Sequence, residues 1–168
     1  TLDIAEYAGF SIGSFIEIGK EKLPEILDKF LLTVIEPMIN IYALRLIHKH
    51  YENDDQLLLA SATNKVLVDL IAKRLEFPNV IATIPEQING TFTGKILEPS
   101  ALGEGKLLRV KEWMDKNGYK DFSGTTFYSD SINDLPLLES VEKPIAVNPD
   151  EKLREISINN SWEIVDLP

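Results

Sequence analysis

The sequence contains no cysteine at all. This absence excludes a disulfide framework and a thiolate metal site, and it fits a reducing cytoplasm. The sequence also lacks any apolar run near the roughly 18 residues that span a bilayer. Runs such as LLLA at 57–60 have the length of a strand instead. Nothing at the amino terminus resembles a signal peptide. We therefore expect a cytoplasmic protein without a membrane partner.

Positive charge is scarce as well. The chain carries 27 acidic and 17 basic residues, a net charge of -10, and its lysines and arginines form no cluster. Nucleic acid and anionic lipid bind to basic grooves or patches, so both are excluded as expected partners. A small phosphorylated ligand needs only a few local donors and stays compatible with this charge.

Several functional motifs are missing. The sequence has no dinucleotide-binding glycine fingerprint, no recoverable Ser/His/Asp arrangement, no internal repeat and no low-complexity segment. GEGK at 103–106 is not a nucleoside-triphosphate loop, because Ser100 stands at the first glycine position and Leu107 replaces the Ser or Thr.

The features that are present indicate one globular domain and leave room for a small appendage. The chain has 168 residues and is 44% apolar, enough to bury a core. Its first fifty residues read as helical: apolar residues recur at three- and four-residue spacing at Leu23, Ile26, Leu27, Phe30, Leu31 and Ile35. Pro37 is predicted to open a second helix that runs through Ile41, Leu44 and Ile47.

Strands and helices alternate after residue 55. The predicted strands are 56–61, 80–88, 91–97, 125–130, 143–148 and 162–167. The predicted helices cover 66–75, 107–114, 134–141 and 149–158, the last beginning at Pro149. Asn89-Gly90 between two extended runs predicts a tight hairpin. The expected fold class is α/β, a Rossmann-like doubly wound parallel sheet with a β-hairpin and a partial helical cap. Such sheets bind ligands at the carboxyl ends of their strands.

Two carboxylates follow the strand at 125–130. Asp130 and Asp134 lie four residues apart where a loop enters a helix, and their hard oxygens suit Mg²⁺. Alternatively, Asp134 simply caps that helix. Asp130 ends a buried strand, so we expect its charge to be desolvated and to need a partner.

Two further residues could bind a phosphate. Ser61 follows the strand at 56–61, and its hydroxyl and the following N–H groups can donate to phosphate oxygens. The alternative is a local turn in which the hydroxyl bonds the backbone. Lys106 lies between small residues that would let its ammonium approach a phosphate. The alternative for Lys106 is an ordinary solvated lysine.

The order of these signals resembles the motifs of haloacid-dehalogenase (HAD) superfamily phosphatases. LLLASATN (57–64) resembles the second motif, LGEGK (102–106) the third and TFYSDSINDLPLL (126–138) the fourth. The hairpin NGTFTGKI (89–96) and the tail KPIAVNPDEKLREISINNSWEIVDL (143–167) resemble the phosphoserine-phosphatase-like branch, subfamily IB.

The resemblance implies a Mg²⁺-dependent phosphomonoester hydrolase that acts through an aspartyl-phosphate on a small phosphorylated metabolite. By position, Ser61 and the Ala62 N–H would hold the phosphate, and Lys106 would bridge nucleophile and phosphate. Asp130 would ligate Mg²⁺, Asp134 would orient its waters, and Asn133 would lie near the phosphate.

One departure from the family is large. The first motif, DxDxT, which carries the nucleophile and the general acid, is not found in the sequence. Residues 1–35 resemble part of a helical cap, and residues 36–168 resemble the α/β core without its first strand. The sequence as given is therefore expected to be inactive and not to fold stably by itself.

Three functions stay open from the sequence. The leading one is a small-molecule phosphatase, with phosphoserine-like, amino-alcohol phosphate and histidinol-phosphate-like substrates all allowed. The second is a non-catalytic binding or scaffold module of the same fold. The third is a phosphotransferase. The oligomeric state is not predicted.

Overall fold

The computed structural model describes residues 12–13 and 15–168. The chain forms two compact units, Thr1–Ser100 and Ala101–Pro168. The portion of the predicted cap at 1–11 and 14 lies outside the described residues, and the cap–core boundary at 35/36 stays a prediction. Within the described residues no single helix has the length and apolar composition to cross a membrane. The helices at 23–38 and 41–52 together reach that length and composition, with a bend of 96° between them.

The described part of the first unit begins with helices. Residues 15–18 are helical, and they are followed by α1 (Leu23–Phe30), a π-helical turn (Leu31–Ile35), α2 (Glu36–Met38), α3 (Ile41–Glu52) and α4 (Lys65–Arg74). The apolar stripe does form a helix, as predicted, but none of the residues of α1 to α3 is buried.

The predicted start of the second helix at Pro37 is wrong. Ile39 is extended, with φ -68° and ψ 116°, so the helix that contains Ile41, Leu44 and Ile47 is separate from α2. Its first residue is set by Asn40, whose side chain accepts a hydrogen bond from the Tyr42 N–H at 2.8 Å. A good N-cap thus decided the boundary.

The sheet of the first unit has the order β1 (Leu58–Asn64), β2 (Asn79–Ile88), β3 (Thr91–Leu97). β1 and β2 are parallel, whereas β2 and β3 form the predicted antiparallel hairpin. Its turn residues Asn89 and Gly90 have φ values of 52° and 77°. Both lie in the left-handed region that a tight two-residue hairpin requires.

The second unit is an alternation of helices and parallel strands. Its elements are α5 (Glu104–Lys116), β4 (Thr126–Ser129), a 3₁₀ turn (Ile132–Asp134), α6 (Leu135–Leu138), β5 (Lys143–Val147), α7 (Glu151–Asn159) and β6 (Glu163–Val165). The strands pair in the order β4-β5-β6, all parallel. α7 begins at Glu151 and not at Pro149, because the Asp150 side chain caps it.

The core of the second unit lies between the sheet and its helices. Leu138, Ala146 and Leu153 are completely buried, and they come from α6, β5 and α7. The partly buried residues packed against them are Phe127, Ile132, Trp162 and Ile164. This packing fixes the carboxyl end of β4, where the predicted site residues lie. The predicted α/β class with parallel strands is confirmed.

Candidate active site

The segment after β4 is folded back on itself by side-chain hydroxyls. The Ser129 Oγ accepts a hydrogen bond from the Ser131 N–H at 3.2 Å and donates one to Asp134 Oδ2 at 2.7 Å. Ser131 in turn caps the 3₁₀ turn, since its Oγ accepts from the Asn133 N–H at 3.2 Å. The loop therefore holds the Asp134 carboxylate beside the end of the strand.

Lys106 and Asp134 meet in the interior of the second unit. The Lys106 ammonium donates to Asp134 Oδ1, and the two residues are 4% and 9% exposed. Lys106 is thus not a solvated lysine. Asp134 does precede α6, but its side chain makes no capping hydrogen bond. Both simpler interpretations of these residues are wrong, because their charges face each other away from solvent.

Gly103 explains how α5 can start where it does. Its φ of 54° and ψ of -127° are available to glycine and strained for other residues. Its carbonyl accepts from the N–H groups of Lys106 at 3.1 Å and Leu107 at 3.3 Å. The first turn of the helix, and with it Lys106, is set by this conformation.

Asp130 differs from the expectation. It is exposed, so its carboxylate is not desolvated in this chain. Its position is fixed through the backbone: the Asp130 carbonyl accepts from the Asp150 N–H at 2.8 Å. Asn133 is also exposed.

Asp150 was not among the predicted site residues, yet it orders the loop. Its carboxylate accepts from the N–H groups of Ile132 at 2.7 Å and Leu153 at 2.9 Å. Partial burial acts to raise the pKa of Asp150, but hydrogen bonds from these backbone N–H groups outweigh it and hold the pKa below its ordinary value. The available signal for its capping role was an Asp beside the proline at the start of the predicted helix at 149–158, since Asp is a favoured N-cap. Its bond to Ile132, 18 residues away, had no local signal.

The donor set at the end of β4 is compatible with Mg²⁺. The exposed Asp130 carboxylate offers hard oxygens, and Mg²⁺ is usually held by one or two carboxylates together with waters and substrate phosphate. Both oxygens of Asp134 are already engaged, by Lys106 and Ser129. Asp134 therefore fits a role next to the ion better than direct ligation. No cluster of three or more His, Cys, Asp or Glu suited to a metal occurs among the residues that the structure describes.

Ser61 and Ala62 lie in the first unit, near the end of β1. The register of β1 with β2 is regular up to the pair Ser61–Ala82 and then jumps to Asn64–Thr83. Within this interruption the Thr63 N–H donates to Ser61 Oγ at 3.2 Å. The local turn foreseen as the alternative is thus present. In this turn the Ser61 hydroxyl accepts a hydrogen bond. The role of Ser61 as a donor to phosphate stays a prediction.

A separate depression of about 440 Å³ lies at the amino-terminal ends of β5 and β6. Its lining includes Lys143, Trp162 and Glu163, and Lys143 pairs with Glu163 at 3.2 Å. Since ligands of parallel α/β sheets bind at the carboxyl ends of strands, this depression is not the expected active site.

Comparison with known proteins identifies the family. The family model of haloacid dehalogenase-like hydrolases matches residues 5–139. A Neisseria meningitidis protein named histidinol-phosphatase is 32% identical over 168 residues, which make up 98% of this chain and 76% of that protein. A Mycobacterium tuberculosis protein named as a phosphoserine phosphatase is 32% identical over 164 residues. That match covers 97% of this chain but spans half of the mycobacterial protein.

Solved structures share the fold of this chain. A Bordetella pertussis protein of unknown function has a TM-score of 0.94 and 36% identity, with 99% of this chain and 76% of that chain covered. A probable phosphoserine phosphatase from Vibrio cholerae has a TM-score of 0.60 at 15% identity, with 91% and 52% covered, which shows a likeness of fold. The chain belongs to the haloacid dehalogenase-like hydrolase family, and the resemblance predicted from the motifs is confirmed.

Proposed function

We propose that the protein is a Mg²⁺-dependent phosphomonoester hydrolase of small phosphorylated metabolites. The observation that carries this proposal is the buried Lys106–Asp134 pair, held by Ser129 next to Asp130 at the carboxyl end of β4. The family membership and the phosphatase names of two relatives support the same reaction class.

The burial of this pair argues against a non-catalytic scaffold. Taking two charges out of water is costly, and apolar residues of similar volume often stabilise a fold as well or better. A scaffold would gain no evident stability from Lys106 and Asp134. A phosphoryl-transfer site does gain from them, because a preorganised cation in a dry site stabilises negative charge far better than one in water.

The chemistry assigns a distinct task to each residue. In the proposed mechanism the first aspartate of the family's DxDxT motif attacks phosphorus as the P–O bond to the alcohol breaks. The second aspartate of that motif protonates the leaving alcohol, and water then hydrolyses the aspartyl-phosphate. The Lys106 ammonium lies beside the phosphoryl group and neutralises its oxygens, while the hydrogen bond to Asp134 holds that ammonium in position. From the motif resemblance alone, Ser61 and the Ala62 N–H are the proposed phosphate donors of the first unit. Asn133 is a proposed polar contact of the second unit.

Asp130 is the proposed carboxylate ligand of Mg²⁺. The ion would supply further charge neutralisation on the phosphoryl group. Asp134, through its bonds to Lys106 and Ser129, would align the water around the ion. Asp130 is exposed, so a hydrated cation would be able to reach its carboxylate from solvent.

We propose phosphorylated amino alcohols and amino acids as the substrate class, and the names of two relatives support this proposal. The two relatives are named for histidinol phosphate and phosphoserine hydrolysis. The rate of inorganic phosphate release from histidinol phosphate, from phosphoserine and from simple sugar phosphates ranks these compounds as substrates.

The test of the proposal uses the full-length polypeptide encoded by the gene. It should hydrolyse p-nitrophenyl phosphate in the presence of Mg²⁺ and lose this activity in excess chelator, and Asp130→Asn should lose activity at all Mg²⁺ concentrations. The matched control is Glu139→Gln, which changes an exposed carboxylate directly after α6. Unchanged turnover in chelator would remove Asp130 from its proposed role.

A further inference from the structure

A side chain of the neighbouring strand β2 forms a hydrogen bond to the turn that carries Ser61. Thr83, on β2, is 4% exposed, and its hydroxyl donates to the Ala62 carbonyl at 2.7 Å. The Ala62 carbonyl belongs to the peptide group between Ala62 and Thr63. This peptide lies in the two-residue interruption of the β1–β2 ladder, where the regular pairing between strands is absent.

The other end of the same peptide is also bonded. The Thr63 N–H donates to Ser61 Oγ at 3.2 Å. The Thr83 hydroxyl, the 62–63 peptide and the Ser61 hydroxyl therefore form one chain of hydrogen bonds. Ser61 Oγ is an acceptor in this chain, so its own proton stays available to donate outward. Successive hydrogen bonds of this kind polarise one another and strengthen that donor.

We infer that Thr83 is a positioning residue for phosphate binding, an inference that rests on the proposed function. Thr83 is too deeply buried to contact a substrate. It sets the plane of the 62–63 peptide, and the peptide sets the orientation of the Ser61 hydroxyl. Asn64, the residue after this peptide, is itself held in place, because its Oδ1 accepts a hydrogen bond from the Leu67 N–H at 3.2 Å and caps α4.

The experiment compares Thr83→Val with Thr83→Ser in the full-length polypeptide. Valine keeps the shape and removes the hydroxyl, whereas serine keeps the donor. The readouts are the inhibition constant of inorganic phosphate, the KM and kcat for p-nitrophenyl phosphate, and the thermal midpoint. We expect Thr83→Val to raise the phosphate inhibition constant and KM about three- to tenfold, the worth of one hydrogen bond. Thr83→Ser should stay within about twofold of wild type.

A matched control is available on the adjacent strand. The Thr93 hydroxyl donates to Glu86 Oε2 at 2.5 Å, a bond between the two strands of the hairpin. This bond does not involve the turn that carries Ser61. Thr93→Val makes the same chemical change and should leave both constants unchanged. In a Ser61→Ala background, Thr83→Val should add no further loss of phosphate affinity, because the group that it positions is gone. If Thr83→Val does not fold, Thr83→Cys keeps the volume with a much weaker donor and should show the same trend.

The outcomes separate this inference from the proposed function. If wild type hydrolyses p-nitrophenyl phosphate and Thr83→Val binds phosphate as wild type does, the inference is wrong and the function stands. The inference is equally wrong if Thr83→Val lowers the thermal midpoint alone, or if serine is no better than valine. If wild type neither hydrolyses the ester nor binds phosphate, both proposals fail.

Discussion

Lys106 and Asp134 are 28 residues apart in the sequence and form an ion pair inside the second unit. Their side chains are 5% and 12% exposed. Asp134 is held on its other oxygen by Ser129, so the carboxylate cannot turn away from the ammonium without breaking a second bond. The pair links the first turn of α5 to the segment after β4.

This geometry predicts an asymmetric response to mutation. Lys106→Met should destabilise the protein by about 3–5 kcal/mol, because it leaves a buried carboxylate without its cation. Lys106→Met combined with Asp134→Asn removes both charges and should recover most of that loss. Urea unfolding monitored by circular dichroism measures both. Lys111→Met, at an exposed position of the same helix, should change stability by less than about 0.5 kcal/mol. A single variant as stable as wild type would show that the pair is not desolvated in solution.

The conformation of Gly103 gives a second prediction. Gly103 and Gly118 both have positive φ, 54° and 82°, and a Cβ on either would have no contact closer than 3.8 Å. Alanine at Gly118 should destabilise the fold by about 1–2 kcal/mol, the usual cost of a left-handed backbone. Alanine at Gly103 should destabilise it by at least as much, because a ψ of -127° at positive φ is open almost only to glycine. Gly103→Ala should also reduce turnover, because the start of α5 carries Lys106, whereas Gly118→Ala should not. Equal turnover in the two variants would mean that the conformation of Gly103 does not affect the position of Lys106 in the active site.

The ion pair between Glu36 and Arg74 predicts a pH dependence. Arg74 Nε and the second guanidinium nitrogen donate to the two Glu36 oxygens, the latter at 3.0 Å. The hydrogen bond from Arg74 and its charge hold the pKa of Glu36 below its ordinary 4.5, against a smaller effect of burial. The folded carboxyl therefore binds protons more weakly than the unfolded one. Its stabilisation is fully present above the ordinary pKa and is lost as pH falls through the lower folded value.

Thermal unfolding of Glu36→Gln across pH tests this dependence. The variant should unfold at a lower temperature than wild type at pH 7. The two curves should converge as the pH falls below 4.5 and through the lower pKa of the folded Glu36 carboxyl. Arg74→Gln should reproduce this convergence, since it removes the other partner. A difference that persists unchanged in acid would mean that the Glu36 charge does not stabilise the fold.

The sequence predicted the elements well where local signals were strong. Asn89-Gly90 specified the hairpin because few other residues adopt two successive left-handed conformations. The two errors in helix start came from proline. Proline is compatible with the first turn of a helix, so the sequence predicts helix starts at both Pro37 and Pro149. The side chains of Asn40 and Asp150 form the N-caps, and they determine where α3 and α7 begin.

The site was predicted as a set of residues and not as a set of contacts. The motifs located Lys106, Asp130 and Asp134, but no local pattern could show that Lys106 and Asp134 pair with each other. The bond from Thr83 to the Ala62 carbonyl could not be predicted either, because it joins groups 21 residues apart that tertiary folding brings together. The bond from Ser129 to Asp134 is local, five residues along the chain, but its geometry depends on the loop conformation. The exposure of Asp130 was mispredicted for the same reason: position at a strand end does not determine how deeply a side chain is buried.

Turnover of the double variant Lys106→Met/Asp134→Asn tests the central claim most directly. The account predicts that the full-length variant folds with nearly wild-type stability yet hydrolyses p-nitrophenyl phosphate at least ~10²-fold more slowly, the usual loss when one preorganised charge contact is removed. The same measurement with saturating Mg²⁺ ensures that metal supply does not limit the rate. A stable double variant with wild-type turnover would contradict the account, because the buried pair would then be structural and not part of a phosphoryl-transfer site.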